Sequence, residues 1–346
     1  MRPLLKHYWP ELLITIVIWA LVGWRLGLAA FFITVILSLL EITLSADNAV
    51  VNSRVLVKMS PLWQRLFMTV GILIAVFAVR FALPIALVAI MTPLDSFGVL
   101  RLAIEDPETY GDYLHDIAPV INGFGGIFLL MVALFFFVEP KREHLWLRWP
   151  EKILSNLAAV SSIKYVIALL FFVPVFFLTD PADRIGVLGG LVAGALTFLV
   201  LHTITLIMER VNQKNSLKKQ VGWAAFVSFL YLEVLDASFS LDGVVGAFAL
   251  TSNIVIIMAG LGIGALWVRT MTIYMVRKGT LLQYRYLESG AHWAIACLSA
   301  IMFLKLAHIE LPELMVGSVG LLFIGAAIFS SVRINNKENV AITTNR

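Results

Sequence analysis

Five carboxylates lie where a bilayer would normally exclude them. Glu41 and Asp47 fall in an apolar run from Leu40 to Val51, and Glu233, Asp236 and Asp242 fall in or beside a second run from Leu235 to Gly246. Laid over each other without a gap, the runs match Leu40 with Leu235, Ser45 with Ser240, Asp47 with Asp242 and Val50 with Val245. Glu41 meets Asp236, and Thr43 meets Ser238. A charged side chain at the centre of a membrane helix costs about 2.5–3.5 kcal/mol on insertion scales, so folding alone does not ask for these acids. The runs read as two copies of one ancestral piece that together form one ion site.

The donors are all oxygens. Glu41, Asp47, Asn48, Glu233, Asp236 and Asp242 are the candidate metal ligands, with Ser45, Ser238 and Ser240 as secondary polar groups. A hard or borderline divalent cation suits such a set: Mn²⁺ first, with Ca²⁺ and Mg²⁺ also compatible. His202 and His292 sit in apolar stretches and read as packed or hydrogen-bonded rather than as ligands. Arg80, Arg269 and Lys305 also sit within apolar stretches, as candidates for ion pairing or gating. The competing reading makes all of these charges structural pairs. Buried pairs are seldom a net gain in stability, and three cations leave carboxylates over.

At about 100° per residue, Glu41, Ser45 and Asn48 share one helix face, and Asp47 lies about 120° from Glu41. Asp236, Ser240 and Gly243 repeat the arrangement, with Asp242 to the side. A straight helix cannot aim both acids of a copy at one small ion. The sequence therefore predicts that each motif helix kinks or unwinds, near Ser45–Asp47 and near Ser240–Gly243, where irregular backbone is tolerated if it lines a cavity.

Positioning these groups falls to membrane helices. Of 346 residues, 60% are hydrophobic and 14% charged, and the mean hydropathy is +0.92. Crossing a bilayer takes about 20 apolar residues, and the expected fold is an all-α, polytopic bundle of about ten transmembrane helices with an inverted repeat. The spans are read at about 9–23, 28–52, 61–91, 119–138, 163–178, 185–208, 222–250, 254–276, 287–306 and from 314 to 332. Residues 28–138 form the first repeat half, 139–221 connecting spans and loops, 222–332 the second half, and 333–346 a polar, disordered tail. The stretch 92–118 is an acidic loop. The Gly-rich runs 123–126, 186–194 and 260–264 mark close helix packing.

Of the 26 lysines and arginines, Arg25, Arg101 and Arg184 alone fall in the loop set opposite the N-terminus, and Arg80, Arg269 and Lys305 lie within spans. The positive-inside rule puts both termini in the cytoplasm of a multi-pass cell-membrane protein, with the acidic loop outside. The net charge of +4 thus encodes topology, and no nucleic-acid partner is implied. The expected partners are the lipid bilayer and metal ions. The single Cys297 excludes an internal disulfide and a Cys-rich zinc site. No Walker-type loop or H-E-x-x-H signature appears, and no residue is assigned a catalytic role.

The pattern E-x-x-L-S-x-D-N at Glu41 to Asn48, with E-x-x-D-x-x-F-S-x-D at Glu233 to Asp242, resembles the TerC family of integral membrane proteins and the neighbouring DUF475 group. The likeness continues through Thr251-Ser252-Asn253, Arg269, Tyr286-Leu287 with Gly290, and Lys305. The resemblance implies membership of the wider LysE-type superfamily of cation and amino-acid exporters. Its relatives are associated with Mn²⁺ efflux, metal homeostasis and supply of metal to exported enzymes. Carried over by position, the six candidate ligands above are its metal-site residues. The acidic loop and the extra fifth and sixth spans depart from the shorter family pattern. The expectation is a transporter exporting a divalent cation, with protons as a candidate coupling ion. The alternatives are a partner that supplies metal to exported proteins, a membrane metal-dependent enzyme, and an amino-acid exporter.

Overall fold

A computed structural model describes residues 2–139, 142, 144–160, 162–212, 219–309 and 311–344. The helices are α1 (Arg2–Leu26), α2 (Leu28–Leu44), α3 (Ala46–Leu56), α4 (Pro61–Met91), α5 (Ser96–Glu105), α6 (Pro107–Phe137) and α7 (Arg148–Leu157). They continue as α8 (Ile163–Leu178), α9 (Arg184–Asn212), α10 (Gly222–Leu250), α11 (Ile254–Lys278), α12 (Leu287–Leu306) and α13 (Glu313–Thr344). No β-strand occurs among the described residues. Among those residues, eight helices are long and apolar enough to cross a membrane, and the count is nine when the bent pair α2–α3 is taken as one span. The expected fifth span is the shorter α8, of 16 residues. The protein is an all-α, polytopic membrane bundle.

The most buried helix is α6. It packs against α9, α12 and α10, and its second half supplies a continuous core stretch from Ile127 to Leu134. Two glycines of the 186–194 run let α9 approach it: a Cβ at Gly190 would sit 2.4 Å from Val120 O, and one at Gly194 would sit 2.4 Å from Phe124 O. Outward faces are apolar, as lipid contact requires: Leu169, Leu170 and Phe177 on α8, and Val192, Leu196 and Val200 on α9, are exposed.

Two expectations are corrected. The stretch 92–118 is not a loop but α5 and the first turns of α6. Two of its acids cap helix starts. Asp95 accepts from Gly98 N at 2.9 Å, and Asp106 accepts from Thr109 N at 3.3 Å and Thr109 Oγ1 at 2.7 Å. These are N-caps, satisfying amides that have no partner in the first turn. The hydroxyl and amide of Thr109 hold the Asp106 carboxyl below the usual carboxylate range. The cap is therefore present at neutral pH and is lost on acidification through that lowered range. The tail read as disordered instead continues α13 to Thr344. An established helix extends by adding one hydrogen bond per residue, so a polar sequence can follow an apolar one without a new nucleus.

A buried acid outside the motifs ties the Lys- and Arg-rich end together. Glu151 of α7 accepts from Trp146 N (3.2 Å), Leu147 N (3.1 Å) and Trp293 Nε1 (3.0 Å), and pairs with Arg142 at 2.9 Å. Glu151→Gln keeps acceptor capacity but removes the charge beside Arg142. It is expected to cost about 1–3 kcal/mol, read as a lower Tm of the purified protein.

Candidate metal and ion-pair centre

The first motif helix breaks where the angular argument places the break. Between α2 and α3 the axis turns by 52° at Ser45. The backbone ladder still crosses the bend, through Ser45 N to Glu41 O (3.0 Å) and Ala49 N to Ser45 O (3.2 Å). This is a bend, not an unwound segment. The second motif does not match the expectation: α10 is one helix from Gly222 to Leu250. Glu233 and Asp236 are three residues apart, which puts both on one face of an intact helix. Nothing need unwind to bring them together.

A wide turn positions the first arginine. Ile74–Ala82 within α4 is π-helical, a form that recurs at functional sites. Arg80 Nη1 donates to Ala75 O at 3.0 Å within this segment. Its Nη2 is bonded to Glu41 Oε1, and its Nη1 lies 3.5 Å from Asp236 Oδ2. The second arginine comes from α11. Arg269 Nη1 and Nη2 meet Glu233 Oε1 and Oε2 at 3.0 and 2.9 Å, a two-point pairing. Arg269 Nη1 also donates to Phe67 O at 3.0 Å, its guanidinium lies 4.3 Å over the Phe67 ring, and Nη2 lies 3.7 Å from Asp236 Oδ2. Asn48 Nδ2 donates to Asp236 Oδ1 at 3.1 Å, and Ser45 Oγ to Glu41 Oε1 at 3.3 Å.

The centre thus joins Glu41, Ser45, Asn48, Glu233 and Asp236 from the two motifs with Arg80 and Arg269. All are buried. Three carboxylates share two guanidinium groups. Asp236 Oδ2 and Asn48 Oδ1 are buried acceptor oxygens with no hydrogen-bond donor. Among the described residues, no three His, Cys, Asp or Glu groups converge closely enough to hold a metal ion as they stand.

The remaining candidates lie elsewhere. Asp47 is buried but faces α12 and α13, in a small space lined by Leu298, Ile301, Val316 and Gly320. Its Oδ1 accepts from Asn48 N at 2.9 Å. The bend therefore does not swing Asp47 onto the Glu41 face, because it comes too close to Asp47 to cancel an offset of about 120°. The Asp242 side chain lies outside the described residues. Ser238 Oγ bonds within its helix to Val234 O at 2.9 Å, and Ser240 Oγ is buried with no hydrogen-bond partner. Lys305 lines a separate cavity near one end of the bundle. His292 stacks on Phe136 (3.6 Å between ring centroids) and His202 lies between Phe135 and Phe198, so both pack as the sequence implies.

Several contributors were not visible in the motifs. Gly264 on α11 makes room for Glu41: a Cβ there would lie 2.2 Å from Glu41 Cγ. Gly264→Ala is expected to cost about 1–3 kcal/mol through overpacking, seen as a reduced Tm. Opposite it, a Cβ at Gly243 would lie 3.2 Å from Glu41 Oε2, so the residue replacing Asn48 in the second copy leaves space for the first copy's acid. Glu11 of α1 accepts from Thr270 Oγ1 at 3.0 Å, one residue beyond Arg269. For Glu151, the available signal was an acid in the first turn of a short helix beside a proline.

Two cavities bracket the centre. One of about 780 Å³ touches Ile36 and Leu40 of α2 and Val245 and Leu250 of α10. Another of about 400 Å³ touches Val51 and Val55 of α3 and Ser228 and Tyr231 of α10. Each meets opposite chain ends of the two motif helices, as antiparallel helices require. No curated protein and no solved structure matches the chain. The profile of DUF475, described as a protein of unknown function, matches residues 46–338, and so takes in every residue of the centre except Glu41 and Ser45. With most of its length matched, the chain belongs to the DUF475 family.

Proposed function

We propose that the protein is a membrane transporter exporting a divalent cation, with Mn²⁺ the favoured cargo. The observation that carries this reading is the charge excess of the buried centre. Two arginines face three carboxylates, Asp236 Oδ2 meets guanidinium nitrogens only at 3.5 and 3.7 Å, and Asn48 Oδ1 has no hydrogen-bond partner. Buried acceptors without donors are costly, and a cation satisfies them. Arg80 and Arg269 hold the place of the cargo in this state. Loading then requires Arg80 to withdraw from between Glu41 and Asp236, which frees oxygen ligands from both motifs. The chain's order fits an inverted repeat, since one acid of each motif pairs with an arginine of the following span, Glu41 with Arg80 and Glu233 with Arg269. Kinship with TerC and the LysE-type exporters, both termini in the cytoplasm, and proton exchange belong to the same proposal.

One observation favours a second reading. Every carboxylate of the centre already touches a guanidinium, so the network is also suited to holding helices together without moving an ion. Equilibrium binding separates the two. Mn²⁺ titrated into the purified protein, with free Mn²⁺ followed by electron paramagnetic resonance, is expected to saturate one site per chain in the wild type. Glu41→Gln is expected to weaken it by about ten-fold or more. A folded wild type that takes up no Mn²⁺ leaves the structural reading standing alone.

A further inference from the structure

The 400 Å³ cavity at the Lys- and Arg-rich end is charged in the wrong sense for a cation. Arg54, Lys58 and Lys164 line it against one carboxylate, Glu139. Glu288, outside the lining, pairs with Arg54 at 2.5 Å, and Glu139 lies 3.6 Å from the same guanidinium. Lys219 adds a further positive charge nearby, its Nζ donating to Val57 O beside Lys58. The wall also carries donors suited to phosphate oxygens, among them Tyr231 and Gln220.

The cavity reaches an apolar part of the outer surface. Leu206 lines the cavity and is 40% exposed, and its neighbours Val200 and Ile207 on α9 are also exposed. On α8, Val166, Leu169, Leu170 and Val173 are exposed as well. An aromatic cluster lies at the same end of the chain's helices. Trp63, Trp223 and Phe226 cluster around α4 and α10, with Trp223 exposed, and aromatic side chains of this kind collect at headgroup depth. A soluble anion would have no use for an apolar lateral opening.

We propose that this cavity binds the phosphate headgroup of an anionic phospholipid, with its acyl chains along the exposed α8–α9 flank. Basic pockets between transmembrane helices are a recurring headgroup site. The inference is independent of the cation reading, because it concerns other residues and a different ligand.

The test uses the purified full chain in detergent, titrated with phosphatidylglycerol, phosphatidylcholine or inorganic phosphate at matched ionic strength. Bound lipid is read by native mass spectrometry and Tm in parallel. Phosphatidylglycerol is expected to bind and raise Tm, and phosphatidylcholine and inorganic phosphate to do neither. Lys58→Gln with Lys164→Gln is expected to weaken phosphatidylglycerol binding about thirty-fold, and Lys58→Arg with Lys164→Arg to retain it. Equal binding of the two lipids by the wild type would overturn the proposal, whether or not the variants fold. So would undiminished phosphatidylglycerol binding by the Gln pair. Inorganic phosphate alone reproducing the Tm rise would overturn the lipid as ligand and leave a soluble anion in its place.

Discussion

Arg269→Met is expected to destabilise the protein by about 3–5 kcal/mol, the usual result of removing one partner from a buried ion pair. Arg269 is buried, satisfies both oxygens of Glu233, and donates to the Phe67 carbonyl. Its loss leaves the Glu233 carboxylate buried without a counter-charge and also releases a tie between α4 and α11. Arg269→Met with Glu233→Leu should recover much of the loss, since an apolar pair of similar volume is often as stable as the ion pair it replaces. Thermal unfolding of both variants beside the wild type checks this. A double variant as unstable as the single one would mean that the Phe67 contact, not the charge pair, carries the energy.

Asp236→Asn is expected to do the reverse: keep the fold and lose transport. Asp236 faces both arginines at 3.5 and 3.7 Å, longer than the direct contacts that Glu41 and Glu233 make. The amide oxygen can still accept from Asn48 Nδ2. Removing one acid leaves two carboxylates with two arginines, a balanced set, so the Tm should stay near that of the wild type. The charge excess proposed to attract a cation is gone, and on that proposal Mn²⁺ transport falls by about ten- to one-hundred-fold. If the centre were structural alone, this substitution would register in Tm and not in transport.

The two substitutions separate roles that the sequence did not distinguish. Composition and apolar run length were enough for an all-α membrane bundle, and the run ends at 163–178, 222–250 and 287–306 are the helix ends of the structure. The motif overlay singled out Glu41, Asn48 and Asp236, which the structure brings together with Glu233 from just before the second run. The helical-wheel angle located the bend at Ser45, but the bend does not bring Asp47 onto the Glu41 face, and this expected ligand lies outside the centre. The angle failed at α10, because the argument asked Asp242 to join a site that Glu233 and Asp236 already form from one face of an intact helix. The π-helical turn that places Arg80 left no recognisable mark in the run Ile74–Ala82, because an added residue per turn depends on how the neighbouring helices pack. The acids of 92–118 were read by charge alone, whereas Asp95 and Asp106 precede helices as caps do. The run 260–264 was read correctly as close helix packing, but its partner, Glu41 on a helix more than two hundred residues away in sequence, could not be read from spacing within one helix.

The most direct test of the account is Mn²⁺ movement across sealed vesicles containing the purified wild-type protein, followed with a dye trapped inside. The account expects protein-dependent Mn²⁺ flux that saturates with concentration. Vesicles that remain no more permeable to Mn²⁺ than protein-free ones, with the protein shown to be folded, would contradict it.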